Sequence, residues 1–227
     1  MLYEPVDGVA VTALGAALSA VPHIGGALTN ILSGAWTKRK ETRMREAFER
    51  VGSLLRLVDS SKVDWEYIRS EEFEGLVVLC LEHIVGEHRQ DRRDLYAHIL
   101  TNSVLRASPS AKTQAEWFAE SLSRMSPYHM LAFKATRMAE TDLEGFLRDV
   151  AAQPGALQAL QALQACAGDL RSAGYVEFDT RLPVPTIISN LVALFTWARL
   201  TEVGKLFVAW ITEPRGITQP ETGAATR

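Results

Sequence analysis

The chain has 227 residues, of which 47% are hydrophobic and 22% are charged, and its formal net charge is −3. This composition is typical of a soluble globular protein and excludes a wholly disordered chain. The slightly acidic balance gives no general attraction to nucleic acid, so such a contact would require a local basic patch. The length suits one large domain or two small ones, and we expect two.

The first notable segment contains no lysine, arginine or carboxylate and runs from Ala13 to Trp36, directly before the basic run TKRK. Pro22 and the pair Gly25–Gly26 interrupt it, so we expect two short helices with a reversal of the chain between them. Three interpretations stay open. The segment can be a packed hairpin of small residues, a transmembrane helix of about 20 residues, or a hairpin that is released to enter a membrane or dock on a partner.

If the segment meets a membrane or a partner, its large apolar side chains make the contact. These residues are Leu14, Leu18, Ile24, Leu28, Ile31 and Trp36. The many Ala, Gly, Ser and Thr residues between them make the segment only weakly hydrophobic, which favours the packed hairpin over a permanent membrane span.

An amphipathic helix is predicted over Thr37–Leu57, because Met44, Val51 and Leu55 recur at helical spacing. A dense group of cations lies at its start. Those that we select as contacts for anionic lipid or phosphate are Lys38, Arg39, Lys40 and Arg43. A solvated helix face is the alternative interpretation. The position directly after a charge-free segment favours lipid over DNA, because positive charge flanks membrane segments on the cytoplasmic side.

The sequence up to residue 123 then predicts a helical bundle with short loops. Ser70, followed by acidic residues, is typical of a helix N-cap. The apolar positions of the helix that follows are Phe73, Leu76, Val77, Cys80, Leu81 and Ile84. A turn is expected over Gly86–Asp91, and two further helices follow it.

Histidines and carboxylates around this turn recur at metal-ligand spacing. They are His83, Glu87, Asp91, Asp94 and His98. Gly86 is expected to interrupt the helix, and pairing with Arg89, Arg92 and Arg93 explains the charges without an ion. We therefore predict no metal site here and no cofactor.

The pattern of predicted elements changes after residue 123. Residues 124–213 are predicted to form a second domain, followed by a disordered tail at 214–227. Ser126–Pro127 opens a helix, and a second helix over Gly155–Ala173 ends at Gly174. The alternating sequence YVEFDTR predicts a strand. The apolar run Ile187–Trp197 is ambiguous between helix and strand, and Leu200–Ile211 is predicted to be a helix. We expect Val176 and Phe178 to pair with a second strand drawn from residues 187–200. Leu206, Phe207 and Trp210 are expected to lie against the helix over Leu157–Leu170.

The phrases LRSAGYVEFDT and WARLTEVGKLFVAWI resemble the closing half of a winged-helix domain. That half has a helix ending in L-x-x-x-G-h, a β wing, and L-T-x-x-G-x-x-F at the start of the last helix. The layout also resembles that of uncharacterised bacterial helical proteins that end in such a module. The resemblance implies a mainly α fold, with an N-terminal helical bundle followed by a winged-helix-like C-terminal module with a small β wing. It implies no activity, and an irregular helical extension is the alternative.

A winged helix raises the question of DNA binding, for which the recognition helix needs cations at its edge. The corresponding helix, ALQALQALQACAGDLRSAG, carries only Arg171, and the wing adds only Arg181 against Glu177 and Asp179. We therefore expect this module to serve in packing or dimerisation rather than in DNA binding.

The sequence contains no nucleophile elbow, Walker A loop or dinucleotide-binding glycine motif, and neither Cys80 nor Cys166 has an electropositive setting. The two cysteines are far apart, which argues against a disulfide framework and for a reducing compartment. The acidic start MLYEPVDG is unlike a signal peptide. We therefore expect a cytoplasmic protein, with the inner face of the membrane as an alternative location.

Together these patterns predict a non-enzymatic interaction or assembly module that associates with itself or with another protein. Its N-terminal hairpin would engage a membrane or a partner, and no small-molecule substrate is inferred. Two alternatives remain, a DNA-binding regulator that uses the winged helix and a membrane-acting effector that uses the hairpin.

Overall fold

A computed structural model of the chain describes residues 38–56, 62–105, 109–178, 189–196 and 198–212. The described part is mainly α-helical with one small two-stranded sheet, as the sequence predicted for the fold class. The predicted N-terminal hairpin and the predicted disordered tail lie outside the described residues. The described residues divide into two compact units: one runs to Glu120 and includes Trp210–Thr212, and the other is Ser121–Ala209.

The first unit is built from helices that follow one another with short connections. They are α1 (Lys38–Arg56), α2 (Trp65–Ile68), α3 (Glu71–Gly86), α4 (Gln90–Val104) and the larger part of α5 (Pro109–Arg124). Helix α1 packs on both α3 and α4. It does so through a buried line of side chains at helical spacing, Met44, Ala47, Val51 and Leu54.

Helix α3 forms where its sequence predicted it. The Ser70 hydroxyl accepts a hydrogen bond from the Phe73 backbone N–H at 3.2 Å, which satisfies one of the amides that a helix start leaves without a partner. All six apolar positions predicted for this helix are buried. The helix ends at Gly86 and the next begins at Gln90, so the predicted break is confirmed, but it spans only residues 87–89 rather than Gly86–Asp91.

The buried polar residues of α4 hold the end of the chain's last helix. His98 Nδ1 donates to the carbonyl of Ile211 at 2.8 Å, because a carbonyl can only accept. Asn102 Nδ2 donates to the carbonyls of Trp210 at 3.0 Å and Thr212 at 3.1 Å. The last carbonyls of a helix have no partner within the helix, and these two side chains supply one.

The second unit contains four helices, two strands and most of a last helix among its described residues. In chain order they are α6 (Pro127–Ala135), α7 (Glu140–Ala151), α8 (Ala156–Ser172), β1 (Val176–Phe178), α9 (Ser189–Thr196), β2 (Ala198–Leu200) and α10 (Glu202–Ile211). Helix α8 packs against α6 and α7. The predicted start of α6, with Pro127 at its first position, is confirmed.

Helix α7 is absent from the sequence-based prediction. Its N-cap is Ala139, whose side chain cannot bond the first amides, so the usual start signal is missing. Gly145 lies in its interior, which further weakens the local preference for helix. Burial of Leu143 and Leu147, one helical turn apart, favours the helix instead.

The two strands pair antiparallel, with Val176 opposite Leu200 and Phe178 opposite Ala198. This confirms the predicted strand at Val176–Phe178 and a partner drawn from the region before residue 200. The ambiguous apolar run Ile187–Trp197 is helical over its described residues, Ser189–Thr196, and β2 follows the run. The last helix begins at Glu202, two residues later than predicted.

The glycine and threonine of the LTEVG phrase have a direct physical role. The Thr201 backbone N–H donates to the Tyr175 carbonyl at 3.1 Å, and the Gly204 N–H donates to Thr201 Oγ1 at 3.0 Å. A Cβ at Gly204 would lie 2.0 Å from the Tyr175 oxygen. Gly174 has a φ of 76°, a left-handed conformation that favours glycine, and it lies directly after the C-cap of α8.

An aromatic cluster forms the core beside this junction. The rings of Phe133, Tyr175 and Phe207 lie 5.1 to 5.7 Å apart, centroid to centroid. Phe207 is therefore buried as expected. Leu206, which we also expected to pack, is 37% exposed, because it lies on the outer side of α10. Trp210 is buried beside Phe118 of α5, with the ring centroids 5.9 Å apart.

Candidate functional site

The predicted basic cluster is only partly available for binding. The Arg39 side chain is exposed, whereas those of Lys38 and Lys40 lie outside the described set. Arg43 donates from Nη1 to the Val85 carbonyl at 2.7 Å and from Nη2 to His88 Nδ1 at 2.8 Å. It therefore ties α1 to the end of α3. The apolar contact residues predicted before the cluster all fall outside the described residues, namely Leu14, Leu18, Ile24, Leu28, Ile31 and Trp36.

The charged residues around the α3–α4 turn bond to one another, as the pairing with arginines predicted. Arg92 Nε lies 2.9 Å from Glu87 Oε2, and Arg89 Nη2 lies 2.5 Å from Asp91 Oδ2. The hydrogen bond from Arg89 lowers the pKa of Asp91. Arg93 differs from the expectation, because it reaches Glu46 of α1 at 3.1 Å. Glu87 and Asp91 therefore serve as partners of arginines that hold the turn.

Helix α8 presents an exposed face that carries no charge. From Ala156 to Gly168 the sequence contains no acidic or basic residue, although about half of these positions face solvent. The exposed positions are Leu157, Gln158, Gln161, Gln164, Ala165 and Gly168. Leu157 is 58% exposed, which is high for a leucine in a helix. The face is uncharged for more than three turns of helix.

The repeated triplet Ala-Leu-Gln explains how this face arises. Three residues advance an α-helix by about 300°, so each triplet is rotated by about 60° from the one before. Leu160 and Leu163 lie on the buried side of α8, whereas Leu157 has rotated out to solvent. By the same rotation the three glutamines fan out across the exposed side.

Cations are scarce on α8 itself. Arg171, near the end of α8, lies over the ring of Phe178 at 5.8 Å. Lys205 pairs with Glu202 at 2.7 Å. Within the described ranges, α8 therefore offers Arg171 alone for a phosphate contact, as its sequence predicted.

A second group of reactive side chains lies where α6 meets α8. Ser126 begins α6, His129 lies one turn later, and Cys166 and Asp169 lie one turn apart on α8. Ser126 Oγ lies 2.8 Å from His129 Nδ1 and 3.4 Å from Cys166 Sγ. His129 Nε2 lies 3.5 Å from Asp169 Oδ2. Burial raises the pKa of the Cys166 thiol, with the Asp169 charge adding to the effect against a hydrogen bond from Ser126.

Ser126, His129 and Asp169 are connected in the order of a nucleophile, a base and an orienting acid. The hydrogen bonds around His129, however, do not leave it free to deprotonate the serine. The Ser126 backbone N–H also donates to His129 Nδ1 at 2.9 Å, so the lone pair that would take the serine proton is already used. The Cys166 thiol, with its raised pKa, is not a ready thiolate either. The arrangement is better suited to binding than to covalent catalysis.

Sequence reasoning missed this group because it tested only residues close together in the chain. Cys166 and Asp169 have the i, i+3 spacing that places ligands on one helix face, and that signal was available. His129 comes beside them only through the packing of α6 on α8, about 40 positions apart in sequence. No local pattern shows that contact.

None of the helices within the described ranges combines the length and apolarity needed to cross a bilayer. No family model, curated protein or solved structure matches the chain.

Proposed function

We propose that the protein is a non-enzymatic, cytoplasmic assembly module that binds a second copy of itself through the exposed face of α8. The observation that carries this proposal is the charge-free run from Ala156 to Gly168 on a solvent-facing helix. Protein surfaces normally carry lysine, glutamate and arginine on such positions, whereas the cores of interfaces are depleted of charge.

Glutamine side chains favour a partner with the same face. Each amide both donates and accepts hydrogen bonds, so Gln158, Gln161 and Gln164 are complementary to another copy of themselves. A two-fold axis brings the same patch of both subunits together, which suits a self-complementary surface. The exposed Leu157 adds apolar area at the edge of the face.

The resemblance to a winged helix supports a role for α8 at the surface. In that resemblance α8 is the recognition helix, and the antiparallel pair β1–β2 follows it as the wing. One feature departs from a simple wing, because α9 lies between the two strands. The scarcity of cations on α8 favours a protein partner over DNA, since phosphate neutralisation supplies most non-specific DNA affinity.

The test is the oligomeric state of the full chain, measured by sedimentation velocity from about 1 to 100 µM. Wild type is expected to dimerise with rising concentration. Gln161→Glu places like charges across the two-fold axis and is expected to weaken dimerisation about tenfold or more. Gln153→Glu, an exposed glutamine before α8, adds the same charge elsewhere and serves as the control.

A wild type that stays monomeric throughout this range would contradict the proposal. An equal effect of Gln161→Glu and Gln153→Glu would show that net charge, rather than the α8 face, controls association. Retention on duplex DNA that falls with salt, and that Arg171→Ala weakens, would support the DNA-binding alternative instead.

We also propose that the charge-free segment before Arg39 engages an anionic membrane or a partner. The exposed Arg39 side chain, which follows this segment, supports the proposal. The test is co-sedimentation of the full chain with phosphatidylglycerol vesicles, with phosphatidylcholine vesicles as the neutral comparison. Leu18→Asp is expected to abolish sedimentation, and Val203→Asp, at an exposed apolar position on α10, is expected to leave it unchanged. Wild type that remains in the supernatant with both kinds of vesicle would contradict membrane binding by the segment.

A further inference from the structure

The three potential ligands at the contact of α6 and α8 are a nitrogen, a sulfur and an oxygen. A ring nitrogen of His129, the Cys166 sulfur and a carboxylate oxygen of Asp169 all lie within 4.8 Å of one another. Divalent transition metals, zinc above all, accept this mixture of ligands. We infer that His129, Cys166 and Asp169 bind a divalent transition metal ion, and that Zn²⁺ fits the site best.

The spacing is close to that of a tetrahedral zinc site. Bond lengths of about 2.0 to 2.3 Å at tetrahedral angles place the ligand atoms about 3.3 to 3.8 Å apart. His129 Nε2 and Asp169 Oδ2 are 3.5 Å apart, which already lies in this range. The sulfur needs to approach by no more than about 1 Å, which a rotation of the cysteine side chain achieves.

Ser126 supplies the second shell that such a site requires. A histidine that binds metal through Nε2 carries its proton on Nδ1 and donates it to a neighbouring acceptor. Ser126 Oγ lies 2.8 Å from His129 Nδ1 and can accept that proton once Nδ1 has given up the hydrogen bond that it accepts from the Ser126 backbone N–H at 2.9 Å. The same hydroxyl can then donate to the Cys166 sulfur, 3.4 Å away. One serine thus orients two ligands.

The site is open on one side. The Asp169 side chain is 71% exposed, whereas the His129 side chain is 14% exposed and Cys166 is buried at 6%. The ion reaches the site from the Asp169 side, and a water molecule completes its four ligands. On binding, the Cys166 S–H bond breaks, the proton goes to solvent, and the sulfur forms the bond to the metal.

Bound metal would join α6 to α8 near the end of the uncharged face. The ion would stabilise this helix pair because it binds the folded arrangement and not the separated helices. Metal binding is measured separately from self-association, so either proposal can fail without the other.

The experiment titrates the reduced, metal-stripped full chain with Co²⁺, whose visible spectrum reports tetrahedral geometry and whose near-ultraviolet spectrum reports a bond to thiolate. Wild type is expected to show both bands with one equivalent of Co²⁺, and Zn²⁺ is expected to bleach them. Cys166→Ala is expected to lose the thiolate band, whereas Cys80→Ala, which removes the other cysteine, is expected to keep it.

A second variant avoids the risk that a buried substitution disturbs folding. Asp169→Asn changes an exposed side chain and is expected to weaken Co²⁺ binding about tenfold or more, with Asp149→Asn on α7 as the matched control. Ser126→Ala is expected to weaken binding about 10- to 100-fold without abolishing the thiolate band. A wild-type chain without a thiolate band, or equal binding by Asp169→Asn and Asp149→Asn, would overturn the inference.

Discussion

Helices α4 and α8 have similar lengths, 15 and 17 residues, but α4 turns most of its polar side chains toward the core, whereas α8 turns its glutamines toward solvent. Helix α4 buries many of its polar residues, among them Arg92, Arg93, His98 and Asn102, although Gln90 and Asp91 in its first turn are exposed. Helix α8 buries leucines and turns its glutamines to solvent. A polar residue therefore says something about function only once it is known whether its side chain faces the core or solvent.

The two arrangements have different causes. A buried polar group must be hydrogen-bonded, so the side chains of α4 are explained by the partners they reach within the first unit. The outward glutamines of α8 have no such requirement. Charged residues would serve equally well on a solvated face, so the absence of charge points to a surface that meets another molecule.

The units also differ in what holds them together. Hydrogen bonds between side chains and distant backbone carbonyls close the first unit, as at Asn102. The second unit depends on close packing around Tyr175 and Gly204. Four substitutions test this contrast.

The largest effect is expected at Gly204. A Cβ there would lie 2.0 Å from the Tyr175 oxygen and 3.0 Å from its carbonyl carbon, and backbone atoms cannot move aside easily. Gly204→Ala should lower the free energy of unfolding in urea by about 3 kcal/mol or more. Gly75→Ala is the matched control, because its Cβ meets nothing within 4 Å inside α3. That change should stabilise by about 0.5 to 1 kcal/mol, and equal effects of the two changes would contradict the close approach.

A somewhat smaller effect is expected when the hydrogen bonds from Asn102 to the end of α10 are removed. Asn102→Ala removes the donors to the Trp210 and Thr212 carbonyls, and the free energy of unfolding should fall by about 2 to 3 kcal/mol. Gln158→Ala on α8 should change it by less than about 0.5 kcal/mol. If Gln158→Ala costs as much as Asn102→Ala, the α8 face is structural and the contrast between the helices is lost.

The third effect depends on pH. Burial, with Glu116 nearby, raises the pKa of Tyr67 to about 12. The protonated phenol is favoured in the folded protein, so its contribution is complete below the unfolded pKa of about 10 and is lost as pH rises toward about 12. Urea midpoints measured across this interval should fall more steeply for wild type than for Tyr67→Phe. Parallel curves would show that Tyr67 titrates like a solvated phenol.

The smallest effect is expected from the exposed pair of Arg89 and Asp91. Its side chains are 46% and 65% exposed, so solvent screens the interaction, and Asp91→Asn should cost less than about 1 kcal/mol at pH 7. The lowered pKa of Asp91 means that this contribution is present above about pH 4 and is lost as the pH falls. The difference between wild type and Asp91→Asn in urea unfolding should therefore disappear in acid, and a difference that persists there would have another cause.

Elements with strong local signals were predictable from the sequence. Ser70 with its acidic neighbours marked α3, and Gly174 marked the end of α8, because caps and left-handed glycines act within a few residues. Helix α7 was missed because Ala139 provides no cap, and its stability comes from buried Leu143 and Leu147. Local propensity is a weak guide where packing decides.

The candidate sites show the same division. The uncharged run on α8 is visible in the sequence, but its exposure becomes clear only when Leu160 and Leu163 are seen to be buried on the other side of the helix. The group of His129, Cys166 and Asp169 could not be assembled from spacing alone, since it joins two helices. Its two members on α8 were the available hint.

The bonds from His98 and Asn102 to residues Trp210–Thr212 also set an order of events during protein synthesis. The ribosome makes Ser121–Ala209 before it reaches the residues that these side chains hold. At roughly 5 to 20 residues per second, about 5 to 20 seconds pass between the synthesis of these two side chains and that of the carbonyls they bond. These bonds of the first unit can therefore form only after the whole second unit has been synthesised.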